Sequence, residues 1–397
     1  MRVLQLCPKV PWPPDDGGRV AMRVLALSLL KAGADVRTLS LNPLKHRVDP
    51  ASLPEEARPL RLEAIDLDTS VTVAGALRSL FFRSSYNVDR FWCGEFEARL
   101  REVLRAEPPD VVLLESLFMV PYVPALRRGT SARLVLRSVN VEHEIWEGLA
   151  RGERRLARRL ALDHLARRLR LYETATLNEV DAILPVTPED AGTYRRLGAT
   201  VPVHVAPVGI ESGSYPDRSG HGDPLTLVFL GSLDWRPNLE AVDWLLRSVW
   251  PLVRKAVPRA RLHLGGSNPP PGLGGRLEAE GVRLLGRVPD AREFLASGAA
   301  MVVPLLSGGG IRVKILEAMA LGVPVVSTSL GATGLGVRDG QELLLADGPD
   351  RFAEACAEIL SNRDRAVRIG RAGRSRVRES FDADAIGRGT LEVLSGL

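Results

Sequence analysis

The sequence predicts an α/β protein made of two doubly wound domains, each a parallel sheet flanked by helices. Three observations carry that expectation. Short β-branched runs alternate with longer helical patterns, as parallel strands joined by crossover helices require. The alternation stops in a Gly-, Ser- and Pro-rich stretch, Pro207 to Pro224, and then restarts on a similar plan. Finally, 397 residues, 45% of them hydrophobic and 25% charged, supply two packed cores at roughly 150 to 200 residues per domain.

In the first half, Val3 to Cys7, Val36 to Leu41, Asp110 to Leu114, Leu134 to Arg137 and Ala182 to Val186 read as buried strands. In the second half the strands are Leu225 to Leu230, Arg261 to Leu264, Val282 to Leu285, Met301 to Val303 and Val323 to Ser327. The boundary is placed near Ile210, giving domains at 1–210 and 211–379. Ligands of open α/β sheets sit beyond the carboxyl ends of the strands, so a cleft between the halves is the expected binding region.

Composition narrows the function. Lys and Arg number 53 against 48 Asp and Glu, a net charge of +5 that permits an anionic partner without demanding one. No recognised nucleic-acid-binding module is present and most basic positions are scattered, so nucleic acid is not an expected partner. Cys7, Cys93 and Cys356 are far apart and form no C-x-x-C pair, which predicts reduced thiols in a cytoplasmic protein. The first apolar run ends at Pro8 and Lys9, too short for a signal-peptide core. The longest apolar stretch, Ile315 to Val337, contains Glu317, Pro324 and several glycines, so no spanning helix is expected.

The segment Pro304-Leu-Leu-Ser-Gly-Gly-Gly-Ile-Arg-Val-Lys-Ile-Leu-Glu317 says most about chemistry. A strand ends, Gly308, Gly309 and Gly310 follow, and a helix is expected to begin near Ile311. Glycines let backbone N–H groups approach an anion, and a helix N-terminus offers unpaired donors and partial positive charge. Cations there oppose the macrodipole by about 0.3 kcal/mol or more each unless an anion is present. Arg312 and Lys314 on the expected first turn therefore suggest one. Glu317, about two turns beyond Gly310, is placed to accept hydrogen bonds from ribose hydroxyls, and the set matches a nucleotide diphosphate. A plain surface loop followed by a solvated glutamate accounts for the same spacing.

Three other segments are candidates. Asp15, Asp16, Gly17, Gly18 and Arg19 lie between the first strand and a helix expected at Val20 to Leu30; they read as a ligand-closing loop or as a capped turn. Asn140, Glu142 and His143 follow the strand Leu134 to Arg137, in reach of acceptor or sugar hydroxyls, with a structural histidine as the alternative. Glu115 is placed likewise. Arg151 through Arg170 holds eight arginines, with Leu156, Leu160, Leu165 and Leu169 expected on one helical face. That pattern fits either peripheral contact with the inner membrane face or a solvated arginine-rich face.

The run Gly308-Gly-Gly-Ile-Arg-Val-Lys-Ile-Leu-Glu-Ala-Met-Ala-Leu-Gly-Val-Pro-Val-Val-Ser-Thr328 resembles the donor-binding motif of retaining glycosyltransferases of family four, which have the GT-B fold. Pro11-Trp-Pro-Pro-Asp-Asp-Gly-Gly-Arg19 is similar to that family's N-domain glycine loop, and Gly231-Ser-Leu-Asp-Trp-Arg-Pro-Asn238 to the opening of its nucleotide domain. Gly286-Arg-Val-Pro-Asp290 and Asp339-Gly-Gln-Glu-Leu-Leu344 add to the likeness, which is to a variant subgroup with Gly-Gly-Gly followed by Arg-x-Lys.

The resemblance implies a GT-B fold: two Rossmann-like domains facing a central cleft, 1–210 binding the acceptor, 211–379 the nucleotide sugar, and a C-terminal helix at about 380–397 crossing back onto the first domain. It implies transfer of a hexose from a nucleotide diphosphate sugar to a hydroxyl acceptor with retained configuration, in polysaccharide, glycolipid or glycosylated-metabolite biosynthesis. The nucleotide sugar is a co-substrate; no cofactor and no metal are expected, since no Asp-x-Asp signature appears.

Glu317 falls where the second glutamate of the family's Glu-x7-Glu pair binds ribose, and the first falls on Gly309. The family's Arg and Lys after Gly231 align with Ser232 and Pro237, leaving Arg236, Arg312 and Lys314 to supply charge to the leaving group. Donor contacts are thus implied at Gly17, Gly18, Gly231, Arg236, Val288, Gly309, Gly310, Ile311, Arg312, Val313, Lys314 and Glu317. His143, Arg312 and Lys314 are the implied catalytic residues, and Asn140 and Glu142 the acceptor contacts. The alternatives are a non-catalytic nucleotide-sugar-binding subunit, which Gly309 would suit, and a sugar-nucleotide epimerase, for which no convincing acid–base pair is seen.

Overall fold

The computed structural model describes residues 1–69, 85–153, 155–273 and 280–397. It comprises two units, Met1–Gly209 with Ala383–Leu397, and Ile210–Asp382. Among the described residues each unit holds one six-stranded sheet in which every pairing is parallel.

In the first unit the strands are β1 (Arg2–Cys7), β2 (Asp35–Pro43), β3 (Glu63–Leu67), β4 (Val111–Glu115), β5 (Arg133–Ser138) and β6 (Ala182–Pro185), ordered β3-β2-β1-β4-β5-β6. Side chains alternate across a strand, and the two faces fill separate cores. Leu4, Leu6, Val112, Leu114, Leu134 and Leu136 face one; Val3, Val111, Leu113 and Val135 face the other. Near-continuous apolar strands such as Val-Val-Leu-Leu-Glu are the consequence of burial on both faces.

Helix α1 (Gly17–Lys31) covers the second core with Leu25, Ala26 and Leu29. Helix α2 (Gly94–Ala106) covers the first with Phe96, Leu100, Val103 and Leu104. Helices α3 (Glu142–Arg151), α4 (Leu156–Thr176) and α5 (Pro188–Arg196) complete the part of this unit that bears on function.

The basic segment is therefore two helices rather than one. Its leucines do not share a face either, because the five steps from Leu160 to Leu165 rotate the chain by ~140° beyond a full turn. Leu169 is buried and Leu165 half-buried, whereas Leu156 and Leu160 are 72% and 60% exposed.

The second unit repeats the plan. Its strands are β7 (Asp223–Leu230), β8 (Arg261–Gly265), β9 (Val282–Gly286), β10 (Gly298–Val303), β11 (Val325–Ser327) and β12 (Leu344–Leu345), ordered β12-β11-β10-β7-β8-β9. The chain runs from β7 outward through β8 and β9, then returns to β10 on the other side of β7 and runs outward again. Adjacent crossovers diverge at β7 and β10, so the carboxyl ends of these two strands border a crevice that no connection covers. Helices α6 (Arg236–Trp244) and α7 (Val313–Ala320) begin there.

All ten strands read from the sequence are present, with shifted ends. Two more were not expected, the half-buried edge strand β3 and the two-residue β12. Among the described residues no helix is long and apolar enough to cross a membrane.

The last helix, α8 (Ala383–Ser395), packs on α1 of the first unit. The approach is so close that a Cβ on Gly387 would lie 2.5 Å from Ser28 Cβ and 2.7 Å from the Ser28 carbonyl. Gly387→Leu should force the two helices apart and lower the unfolding free energy by about 1 to 3 kcal/mol, the usual range for overpacking. Urea denaturation checks this, the expected sign being a lower midpoint.

Candidate functional site

The divergence point of the second unit is built from backbone in close contact. Gly231 N–H donates to the Gly265 carbonyl at 3.1 Å, and Gly266 N–H donates to that of Gly286 at 2.7 Å. A Cβ on Gly266 would stand 1.9 Å from the Gly231 oxygen, and one on Gly231 would stand 2.6 Å from Asn238 Nδ2. Glycine is thus imposed by space at the ends of β7 and β8. Asn238 Nδ2 donates to the Ser232 carbonyl at 2.8 Å, tying the turn to the start of α6. Val288 lies over the end of β8, its Cγ1 3.0 Å from where a Gly265 Cβ would stand. Arg236 opens α6 and is exposed.

Beyond β10 the triple glycine turns the chain, with φ of +110° at Gly308 and +74° at Gly310. L-residues avoid this left-handed region. A Cβ at Gly308 would also press on Arg312 Nη2 (2.9 Å) and the Trp235 ring (3.1 Å). The loop is anchored to α6 by Ser307 Oγ, which donates to Glu240 Oε2 at 2.7 Å.

These turns redirect Arg312. It is the N-cap of α7 and makes no capping bond, rather than standing in the helix's first turn as expected. Its guanidinium folds back over the Trp235 ring, 5.5 Å from the centroid, and Nη1 donates to the Gly309 carbonyl. Nε and Nη2 are buried and have no hydrogen-bond partner. Burial pulls the side chain's pKa down to about 10, so it is still a cation at neutral pH. A buried charge with unengaged donors is costly unless something supplies the partner.

Ile311, Val313, Ile315 and Leu316 pack inward, which leaves only backbone at Ile311 and Val313 for a ligand. Lys314 Nζ lies 2.7 Å from Glu317 Oε2, and Tyr215 OH donates to Glu317 Oε1 at 3.3 Å. Glu317 is 8% exposed, a buried carboxylate rather than a solvated helix residue. Burial pushes the Tyr215 phenol well above its ordinary pKa, and the Glu317 charge adds to the effect. Arg292 covers the Tyr215 ring at 4.8 Å. Tyr215 was missed in the sequence because it is a single aromatic in a stretch that otherwise reads as linker.

The remaining candidates lie in the first unit. Gly17 and Gly18 open α1 behind Asp16, whose side chain caps the helix by accepting from Arg19 N–H. Lys9 Nζ meets both Asp16 oxygens at 2.8 Å, and Arg19 Nη1 meets Asp15 at 2.8 Å. Burial works against the Asp16 charge, but Lys9 and Arg19 outweigh it and hold the carboxyl below its usual range. The local geometry is that of the capped turn.

After β5, His143 Nδ1 lies 2.7 Å from Glu173 Oε2 on α4. Ser138 Oγ donates to the Asn140 carbonyl at 2.5 Å. The Glu142 carboxyl is pushed up to about 8 by burial and then by the nearby Glu173 charge, so it holds a proton at neutral pH. Glu115 is not part of this cluster. It is fully buried beneath it, 2.8 Å from Arg137 and 2.7 Å from Gln5, a pairing that belongs to the core. Glu173 had one sequence signal, its four-residue spacing between Leu169 and Leu177 on a buried stripe. Among the described residues no three His, Cys, Asp or Glu side chains are grouped to hold a metal ion.

Two Rossmann-like units define the GT-B class of fold. Sucrose-phosphate synthase from Thermosynechococcus elongatus superposes with a TM-score of 0.72 at 17% identity, covering 100% of this chain and 99% of that one. HepE from Anabaena, solved with UDP-glucose, gives a TM-score of 0.65 at 16% identity over 100% of both chains. Among sequence relatives, a Klebsiella pneumoniae protein described as an uncharacterized 44.6 kDa protein in cps region is 24% identical over 97% of each chain. A Mycobacterium tuberculosis GDP-mannose-dependent alpha-(1-6)-phosphatidylinositol monomannoside mannosyltransferase is 38% identical over 89 residues, 22% of this chain and 23% of that one. A family profile described as glycosyl transferase 4-like domain matches residues 16–209, and one described as glycosyl transferases group 1 matches 224–362. The chain belongs to the glycosyltransferase group 1 family.

Gly308→Ala tests the loop geometry directly. The left-handed φ alone should destabilise the second unit by about 1 to 2 kcal/mol, and displacement of the Arg312 guanidinium should quench or shift the Trp235 fluorescence. Unchanged stability and emission would contradict the packing described.

Proposed function

We propose that this glycosyltransferase retains anomeric configuration, needs no metal, and takes a nucleotide diphosphate hexose at the β7–β10 divergence of its second unit. The observation that carries this reading is the buried Arg312 guanidinium, with Nε and Nη2 unengaged beside the triple-glycine turn and the start of α7. A diphosphate supplies the oxygens those donors lack. The amides from Gly309 through Val313, with Lys314, would add donors and charge, and the developing negative charge of the leaving group is stabilised by groups fixed beforehand. Glu317 would hold ribose, the backbone at Val288 the base, and Gly231 and Arg236 the opposite wall. Gly17 and Gly18 remain assigned to the donor and Asn140 and Glu142 to the acceptor.

In the proposed step the acceptor hydroxyl attacks the anomeric carbon from the face the diphosphate leaves. The C–O bond to phosphate breaks with its electron pair going to the phosphate oxygen, which also takes the hydroxyl proton. No protein nucleophile is required. That HepE was solved with UDP-glucose and that a relative is named for GDP-mannose both support a nucleotide-sugar donor. The cps-region relative and the phosphatidylinositol-monomannoside enzyme support polysaccharide or glycolipid assembly. Contact with an anionic membrane is part of the reading. Leu156, Leu160 and Leu171 are 72%, 60% and 66% exposed on one stripe of α4, among exposed arginines. Serine at Leu156 and Leu160 should abolish co-sedimentation with anionic vesicles.

A thermal-shift panel of nucleotide sugars tests the donor site, since a ligand at 100 times its Kd adds about 2.7 kcal/mol. Arg312→Met should lose that shift without destabilising the free chain. The sign follows from the depressed pKa: the folded state holds this proton less well than the unfolded one, so below about pH 10 the charge costs stability, and the cost is relieved only as pH rises further. Glu317→Ala should weaken donor binding, and Lys314→Ala should lower turnover by more than about tenfold. Donor binding without transfer or donor hydrolysis would mark a non-catalytic subunit, the alternative that Gly309 suits.

A further inference from the structure

The N-terminus of α3 has an unusual cap. Its N-cap is Val141, which has no polar atom to offer and makes no capping bond. The orphan amides are met by a carboxylate from another helix. Glu173 of α4 is 0% exposed, and its two oxygens face four donors: His143 N–H at 3.3 Å and Nδ1 at 2.7 Å on Oε2, Glu142 N–H at 3.3 Å and Tyr194 OH at 2.9 Å on Oε1.

Backbone N–H groups can only donate, so Glu173 faces them as an acceptor on both oxygens. The short contact to the imidazole is then made by Nδ1–H donating to Oε2, which already accepts from the His143 backbone N–H. In neutral histidine the other nitrogen then carries the lone pair. His143 Nε2 makes no hydrogen bond to a described residue.

We propose that Glu173 is the positioning residue of the first unit: by holding the proton of His143 on Nδ1 and locking the ring, it presents Nε2 as a hydrogen-bond acceptor to a substrate hydroxyl. The inference rests on the glycosyltransferase reading, in which the loop after β5 meets hydroxyl-bearing substrate. A cap alone needs only a Ser, Thr, Asp or Asn at position 141. A carboxylate brought from another helix does something those residues cannot, because it joins the cap to the imidazole and makes one group set the backbone, the ring plane and the tautomer together. The same logic orients histidines bound to metals, where the second nitrogen is fixed by a carboxylate behind it.

The test combines a spectrum with a kinetic cycle on the full chain. Long-range proton–nitrogen correlation, with His143 assigned among the six histidines by loss of its peaks in His143→Asn, should show the Nδ1–H tautomer in the wild type. Glu173→Gln brings an amide NH2 against donors and should move the proton to Nε2 or populate both forms. Its kcat should fall about tenfold or more with donor KM nearly unchanged, and His143→Asn, whose amide keeps the Nδ1-side contact but lacks Nε2, should fall as far. The double variant should lose nothing further, because Glu173 acts through His143.

Tyr194→Phe deletes a different bond to the same carboxylate and should keep both the tautomer and kcat within about threefold. An Nε2–H tautomer in the wild type, an unchanged tautomer in Glu173→Gln, multiplicative losses in the double variant, or equal damage from Tyr194→Phe would each overturn the proposal. If Glu173→Gln does not fold, the wild-type tautomer and Tyr194→Phe still decide. Absence of any transfer by the wild type would fail the functional reading instead, leaving the spectra to judge the orientation of His143.

Discussion

The second unit depends on one constraint: two parallel strands lie side by side while the connections that follow them run in opposite directions. The connections leaving β7 and β10 part in opposite directions, so neither runs over the ends of both strands. Chain leaving those strands must therefore turn sharply in the open. Gly231 and Gly266 meet backbone to backbone on one side, and Gly308 and Gly310 adopt left-handed conformations on the other. The turns bring Trp235, from the β7 side, against Gly308 and Arg312, from the β10 side. A crevice that the topology leaves open is thereby lined by residues from two distant parts of the chain.

The first unit has the same reversal, between β1 and β4, yet handles charge differently. Lys9 and Arg19 are paired with Asp16 and Asp15, and Arg137 is paired with Glu115 in the core. Opposite charges are matched there within the unit itself. In the second unit Lys314 is matched by Glu317, but the guanidinium of Arg312 lies against a carbonyl and an aromatic face, neither of which carries a full negative charge. Two units of one plan thus differ in which of them is electrically complete, and the proposed anion site falls in the one that is not.

What could be read from the sequence divides along physical lines. Strands buried on both faces, such as Val111 to Leu114, declare themselves because every residue must be apolar. The edge strand Glu63–Leu67 does not, since half-exposure lets charges in. The triple-glycine turn and Glu317 were legible because they sit within one local motif. Tyr215 and Glu173 act across 102 and 30 residues of sequence, and no local pattern encodes such partners. Arg312 shows the intermediate case: its charge was visible, but placing it in the first turn of the helix assumed that Gly310 would continue the chain smoothly. The arginine-rich helix failed for a simpler reason, the drift of a helical face over five residues, which separates Leu165 and Leu169 from Leu156 and Leu160.

The short segment from Gly308 to Glu317 combines features that occur singly elsewhere in the fold. Helix α7 begins with an arginine that caps nothing, as α4 begins with Arg155, but only the α7 arginine follows a turn of glycines in left-handed conformations. The first amides of any helix lack partners within it, the helix dipole adds positive potential at the same end, and here two buried guanidinium nitrogens are unengaged beside them. Random imperfection would leave a mixture of lone donors and lone acceptors. Here the buried acceptor without a hydrogen bond, Glu317 Oε2, is ion-paired with Lys314 at 2.7 Å, and the groups left without a charged partner are donors on one turn, where the topology leaves the sheet uncovered. Such an arrangement costs stability, and the anionic, oxygen-rich ligand proposed above would offset that cost.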